Sequence, residues 1–302
     1  MKTLLICPAL RPAVAHLAAH SPLALAQVLG ETVIGHWIEH LAALGATEMR
    51  VIAPDRPDLV RAELGSGARW GVQIEVLAPG VELTPAEAAA RYRAPGEGGW
   101  MPPPYHGVAV THLPGCADLP LFASYAGWFA AGLAWMPRAL TPARMRVSEV
   151  RPGVWIGRRA RVSPKARLIA PCWIGDQAYV GPEAVIGPGA ILEDRSFVEA
   201  GARISESSVG ENTFVGRMSV VRGSLAAGST LTNWRTGSSL DVPDPFLMCS
   251  LSLPIADAAS RRASRSVRSA ARLATAPVGF LAGWFGRHFS RTTNAKAQAD
   301  PV

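Results

Sequence analysis

The sequence predicts an α/β N-terminal domain joined to a parallel β-helix, with a basic amphipathic helix after them. Three observations predict this. From Ile156 an aliphatic residue stands at every sixth position, through Val162, Leu168, Ile174, Val180, Ile186, Leu192, Val198 and Ile204. Residues 1 to about 80 alternate short apolar runs with helical periodicity, the pattern of parallel βαβ units. Between 258 and 291 the chain is rich in arginine and has no acid. The expected limits are 1–145 for the α/β domain, 151–240 for the β-helix, and 241–302 for a connector, the basic helix and a disordered tail.

Two positions before each aliphatic sits a mostly small residue: Ala160, Ala166, Cys172, Ala178, Ala184, Ala190, Ser196 and Ala202. Glycine follows it at Gly157, Gly175, Gly181, Gly187, Gly210 and Gly216. Each six-residue unit is a short strand and a turn, so three units close one triangular coil with the aliphatics inside. The small residue fits the corner, and glycine is expected there for the conformations a sharp corner demands. The series slips by one after Ile204 and resumes at Val209, Val215, Val221 and Ala227, which predicts a shortened corner. The pattern resembles the left-handed parallel β-helix of hexapeptide-repeat transferases. Glu183, Glu193, Asp194, Glu199, Glu206 and Glu211 are expected at exposed turns.

In the first part, strands are expected over 2–7, 49–53 and 72–77, and helices over 31–44 and 57–64. The Pro- and Gly-rich stretch 79–114 reads as a long loop. Ser124 to Met136 reads as a buried helix, with Trp128, Phe129 and Trp135 in the core. Pro8, Arg11 and Pro12 cut the first apolar run short, so it is a strand and not a signal peptide. The four cysteines are widely scattered, which points to a reduced, cytoplasmic setting and away from a zinc or iron cluster. The formal net charge of +7 has its excess in the arginine-rich tail.

The order Leu10-Arg11-Pro12, Ser21-Pro22-Leu23, the helix from Ile34 to Leu44, and then Gly65-Ser66-Gly67-Ala68-Arg69-Trp70-Gly71-Val72 resembles the sugar-nucleotide nucleotidyltransferases. These are typified by mannose-1-phosphate guanylyltransferases and glucose-1-phosphate thymidylyltransferases, in which a β-helix often follows the catalytic domain. The resemblance implies a truncated, Rossmann-like nucleotidyltransferase domain. It implies Arg11 as the surviving phosphate contact and Ser21 at the position of the family's lysine. The family's Gly-rich phosphate loop has no counterpart, since no glycine precedes Gly30. Its metal-binding aspartates have none either: Asp118 is the only acid between Glu97 and Glu149, in a turn-like context.

His36-Trp37-Ile38-Glu39-His40 matches the His-x-x-Glu-His zinc motif, but no downstream carboxylate completes it, so no metal ligand is assigned there. His16 and His20 are a second pair four residues apart. Hexapeptide-repeat proteins are often acyltransferases that use a coil or loop histidine as general base. No histidine occurs between His112 and His288, which places acyl transfer behind the other readings.

Arg261, Arg265, Arg268 and Arg272 line one face of a helix, followed by Phe280, Leu281, Trp284 and Phe285. This segment reads either as an anchor on anionic headgroups or as a helix capping the β-helix. The expected function is a divergent, catalytically impaired nucleotidyltransferase-like scaffold or regulatory subunit in surface-polysaccharide synthesis. Two alternatives stay open: an active nucleotidyltransferase with a rebuilt phosphate loop, and a hexapeptide-repeat acyltransferase. The expected partners are a nucleotide or nucleotide sugar, an anionic membrane surface at the inner face, and further copies of the chain. Nucleic acid is not expected. No cofactor is assigned, with Mg²⁺ only for the active nucleotidyltransferase.

Overall fold

The computed structural model describes residues 1–139 and 147–252. The basic stripe, the aromatic segment after it and the tail all lie outside the described residues. Met1 to Ser252 form one compact unit.

Four parallel strands make the N-terminal sheet: β1 (Lys2–Ile6), β2 (Glu48–Ile52), β3 (Gln73–Leu77) and β4 (Gly107–Ala109), in the order β3-β2-β1-β4. Helix α1 (Val33–Ala43) starts at Thr32, whose hydroxyl accepts from Gly35 N, and buries Ile34, Trp37, Ile38 and Leu41. Helix α2 (Pro57–Leu64) has proline in its first turn and stops at Gly65. The stretch 79–114 corrects the expectation of a loop, because it holds α3 (Pro85–Tyr92) and the edge strand β4. Thr84 and Glu87 form a capping box at the start of α3, a signal hidden among the prolines. Helix α4 (Tyr125–Trp135) is capped by Ser124 and buries Trp128, Phe129 and Trp135 as expected.

The hexapeptide repeat builds a three-sided parallel β-helix. Cys172 pairs with Val154 on one side and Ala190 on the other, so successive coils lie eighteen residues apart. Ile174, Val180, Ile186, Leu192, Val198, Ile204 and Val209 are fully buried along its axis, with Cys172, Ala178, Ala184, Ala190 and Ala202 beside them. Burial pushes the Cys172 thiol up to about 11, which fits a packing residue. On one outer face Tyr179, Phe197 and Phe214 stack coil upon coil, with ring centroids 4.3 and 5.7 Å apart.

Of the glycines after the aliphatics only Gly187 takes the positive φ expected, and the others serve a different purpose. A Cβ on Gly175 would lie 2.6 Å from the backbone nitrogen of Asp194, so glycine is needed because the next coil's backbone passes too close for a side chain. The left-handed corner residue comes two positions later, at Gln177, Glu183, Gly189, Arg195, Gly201, Asn212 and Met218. After Ile204 the corner residue is Glu206, one position early, and Leu192 pairs with Val209, which is the shortened corner read from the sequence. A second shortening was missed. Gly223 takes the corner after Val221, Val209 pairs with Ala226, and Ala226 is buried while Ala227 is exposed.

Antiparallel strands cover both ends of one β-helix sheet. Val147–Arg151 pairs with the first coil, and Thr230–Asn233 pairs with Ser224–Ala227 and then with Ser239–Asp241. Met248–Ser250 also returns to pair with Thr213–Val215 on another sheet. Unpaired strand edges are satisfied in this way by backbone from outside the repeat.

Below β1 and β2, Glu97 accepts from Lys2 Nζ at 2.8 Å, from Ala94 N at 3.2 Å and from Arg50 Nη2 at 3.1 Å. The Lys2 hydrogen bond, with the others behind it, holds its carboxyl down to about 2. A carboxylate held low contributes stability above the ordinary carboxylate range and loses it as pH falls toward the folded value. Unfolding midpoints in denaturant for Glu97→Gln and the parent chain are therefore expected to differ at pH 5 and to converge near pH 2.

Candidate functional site

Four aromatic or aliphatic side chains on one outer face of the β-helix, Trp155, Trp173, Ile191 and Leu225, belong to the core of the N-terminal part. Helix α4 lies against this face. A Cβ on Gly132 would meet Ile191 Cδ1 at 3.1 Å, and Phe129 stacks on Trp234 with centroids 5.2 Å apart. Burial of these side chains supplies the non-directional part of the docking.

Glu193 supplies the directional part. Its two carboxylate oxygens accept from Leu29 N and Gly30 N, each at 2.7 Å. Leu29 and Gly30 both have positive φ, which turns consecutive amides toward one point, a nest for an anion. Glu193 is 3% exposed and Asp194 8%, which corrects the expectation that both are solvated turn charges. The corner after Leu192 faces the N-terminal part and not water, and Asp194 accepts from Asp176 N at 2.8 Å.

Between these two contacts lies a cleft of about 380 Å³. One wall is the segment from Pro12 to Gln27, which brings His16, His20, Ser21, Leu25 and Gln27. The opposite wall is coil, with Glu193, Ser208, Gly210, Glu211 and Leu225 to Ala227. Trp128 of α4, Glu63 of α2 and Thr32 complete the lining.

Short 3₁₀ turns at Pro12–Ala18 and Leu23–Leu25 shape the first wall, with Pro12 and Pro22 at their starts. Two external bonds hold it. His16 N donates to Tyr125 Oη at 3.0 Å, and burial raises the Tyr125 hydroxyl's pKa. Arg56 Nη2 donates to Ala18 O at 2.8 Å and Ser21 O at 2.9 Å, bracketing His20. Both imidazoles are exposed.

Of the residues singled out by sequence, Ser21 lines the cleft and Arg11 does not. The Arg11 guanidinium pairs with Glu82 at 2.6 Å, and Glu82 also accepts from Ala9 N at 2.9 Å. Arg11 therefore ties down the loop after β1. Burial works against the Glu82 carboxylate, but the Arg11 and Ala9 hydrogen bonds outweigh it and lower its pKa. Asp118 sits exposed in a turn, as expected. In the His-x-x-Glu-His stretch, His36 Nε2 lies 2.8 Å from Val28 O and its ring meets Trp135 edge-on, while His40 packs against Trp37 and Tyr105. Burial lowers the His40 pKa. Among the described residues no three His, Cys, Asp or Glu side chains gather to hold a metal. Gln27, Trp128, Glu193, Ser208 and Glu211 were not read from the sequence as site residues. The signal for the site was the pair His16 and His20, weighed only as metal ligands.

No protein-family model and no curated protein sequence matches the chain. Solved structures do. A mutant of perosamine N-acetyltransferase from Caulobacter crescentus, bound to CoA and GDP-perosamine, is 16% identical; the match covers 61% of this chain and 94% of that one, with a TM-score of 0.17. The acetyltransferase domain of PglB from Neisseria gonorrhoeae is 16% identical, with 62% and 98% covered and a TM-score of 0.17. The same domain with acetyl coenzyme A is 15% identical, with 63% and 100% covered and a TM-score of 0.15. Set beside these acetyltransferases, the expectation of a nucleotidyltransferase-like scaffold is corrected. The objection to acyl transfer also falls, because histidines absent from the coil line a cleft against it. At such identity and TM-score the likeness carries no detail of the site.

Glu193→Ala is expected to leave two amides unsatisfied, at a cost of about 1–3 kcal/mol for each one that stays buried. Glu193→Gln, which keeps one acceptor oxygen, is expected to cost less, and Glu211→Gln, which weakens a half-buried pair with Arg195, under about 1 kcal/mol. Equilibrium unfolding in urea checks the order.

Proposed function

We propose that the chain is a hexapeptide-repeat acyltransferase that moves an acyl group from an acyl-coenzyme A thioester to a small acceptor held in the cleft. The single observation that carries the reading is the placement of His16 and His20 on a cleft whose other wall is the coil. A thioester carbonyl needs a nucleophile whose proton is taken as the bond forms, and an imidazole within reach is suited to that near neutral pH. The acceptor's nucleophilic atom attacks the carbonyl carbon while an imidazole takes its proton. The carbon–sulfur bond then breaks, and the thiolate leaves with the proton returned by the imidazolium.

The remaining lining fits a small polar acceptor. Gln27 and Ser208 offer amide and hydroxyl groups from opposite walls, Ser21 offers a second hydroxyl, and Trp128 offers an apolar surface. A volume near 380 Å³ suits a ligand of monosaccharide size.

The test is thiol release from acetyl coenzyme A with the full chain and a panel of amino and hydroxy sugars, free and nucleotide-linked. Replacing the histidine that serves as base by alanine is expected to lower kcat by about 10²–10⁴-fold, and replacing the other by less than about tenfold. If the double variant His16→Ala/His20→Ala keeps the parent rate, the histidine mechanism is wrong.

A further inference from the structure

The charges around the cleft narrow the acceptor. Three carboxylates line it, from Glu63, Glu193 and Glu211, and no lysine or arginine is among the described residues that line it. The nearby arginines are engaged by acids: Arg195 pairs with Glu211, while Arg69 pairs with Glu31 and lies 3.9 Å from Glu63. A second observation is independent of that count. Consecutive amides aimed at one point can receive an anion, and those of Leu29 and Gly30 are already taken by the protein's own carboxylate, Glu193.

We propose that the cleft selects an amine acceptor without a phosphate group, and this rests on the acyl-transfer reading above. Among the described residues a phosphate would meet carboxylates with no lysine, arginine or vacant nest to receive it, so like-charge repulsion acts as selection against it. An ammonium gains charge attraction from the same carboxylates, and a neutral hydroxyl gains only a hydrogen bond. The bound ammonium gives one proton to solvent, and the freed nitrogen pair attacks the thioester carbon. The carbon–nitrogen bond forms as the carbon–sulfur bond breaks. An imidazole takes one of the two protons left on the nitrogen and passes it to the departing thiolate, giving a secondary amide and free thiol.

The experiment compares glucosamine, glucosamine 6-phosphate and glucose as acceptors with acetyl coenzyme A, using the full chain. Binding of the same three sugars is measured by calorimetry without donor. The expected kcat/KM for glucosamine exceeds that for its phosphate by at least about tenfold, and glucose is not turned over. The gap narrows as ionic strength rises. In Glu63→Gln/Glu211→Gln, which removes two of the carboxylates and releases Arg195, it narrows further. Equal or better use of the phosphate sugar overturns the charge selection and leaves acyl transfer standing, and turnover of glucose overturns selection for the amine. Tighter binding of glucosamine with no thiol release supports the charge selection and overturns acyl transfer. Equal binding with no release overturns both.

Discussion

The backbone ladder between one coil and the next governs this molecule. Each coil can hydrogen-bond to its neighbour only if it closes in eighteen residues, or seventeen where a corner is shortened. That closure fixes where aliphatics turn inward, where the left-handed corner falls, and why Gly175 can bear no side chain beneath Asp194. A single misplaced residue would move every inward side chain of the next strand outward, as strand registers do. The shortened corners at Glu206 and Gly223 are tolerated because each drops its residue at a turn.

A rigid coil with a fixed repeat also gives the N-terminal part a platform of known spacing. Trp155, Trp173 and Ile191 come from equivalent positions of successive coils and project to the same side. Their burial against α4 is non-directional and would allow sliding. The bond pair from Glu193 to Leu29 and Gly30 is directional and fixes the approach. A buried carboxylate is costly unless hydrogen-bonded, and two short amide bonds at the nest offset that cost. The cleft is the space left where docking by aromatics and docking by Glu193 do not close the surface.

The repeat was legible because its period is a property of neighbouring residues. The inward aliphatics, the small residues beside them and the first shortened corner can all be read off the chain. The strands and helices around Val33 and Pro57 were legible for the same local reason. Helix α3 was not, since prolines around it masked the Thr84–Glu87 capping box. The second shortened corner was hidden because Ala226 and Ala227 are the same residue, and only pairing with Val209 tells them apart. Glu193 and Asp194 were misread as solvated because a corner residue's exposure depends on what lies opposite it. Arg11 looked like a ligand contact, yet its partner Glu82 is remote in sequence and local reasoning could not supply it.

The sequence by itself determined the β-helix, its coil length and the alternating α/β character of the first part, because these depend on local periodicity and on backbone geometry common to all chains. Only the tertiary structure decided that His16 and His20 face the coil, that Glu193 fills the Leu29–Gly30 nest, and that no lysine or arginine among the described residues lines the cleft between them. Those facts follow from which surfaces bury one another. Residues from 12 to 30 meet residues from 193 to 227 only once docking has excluded water from between them, and no spacing along the chain encodes that meeting.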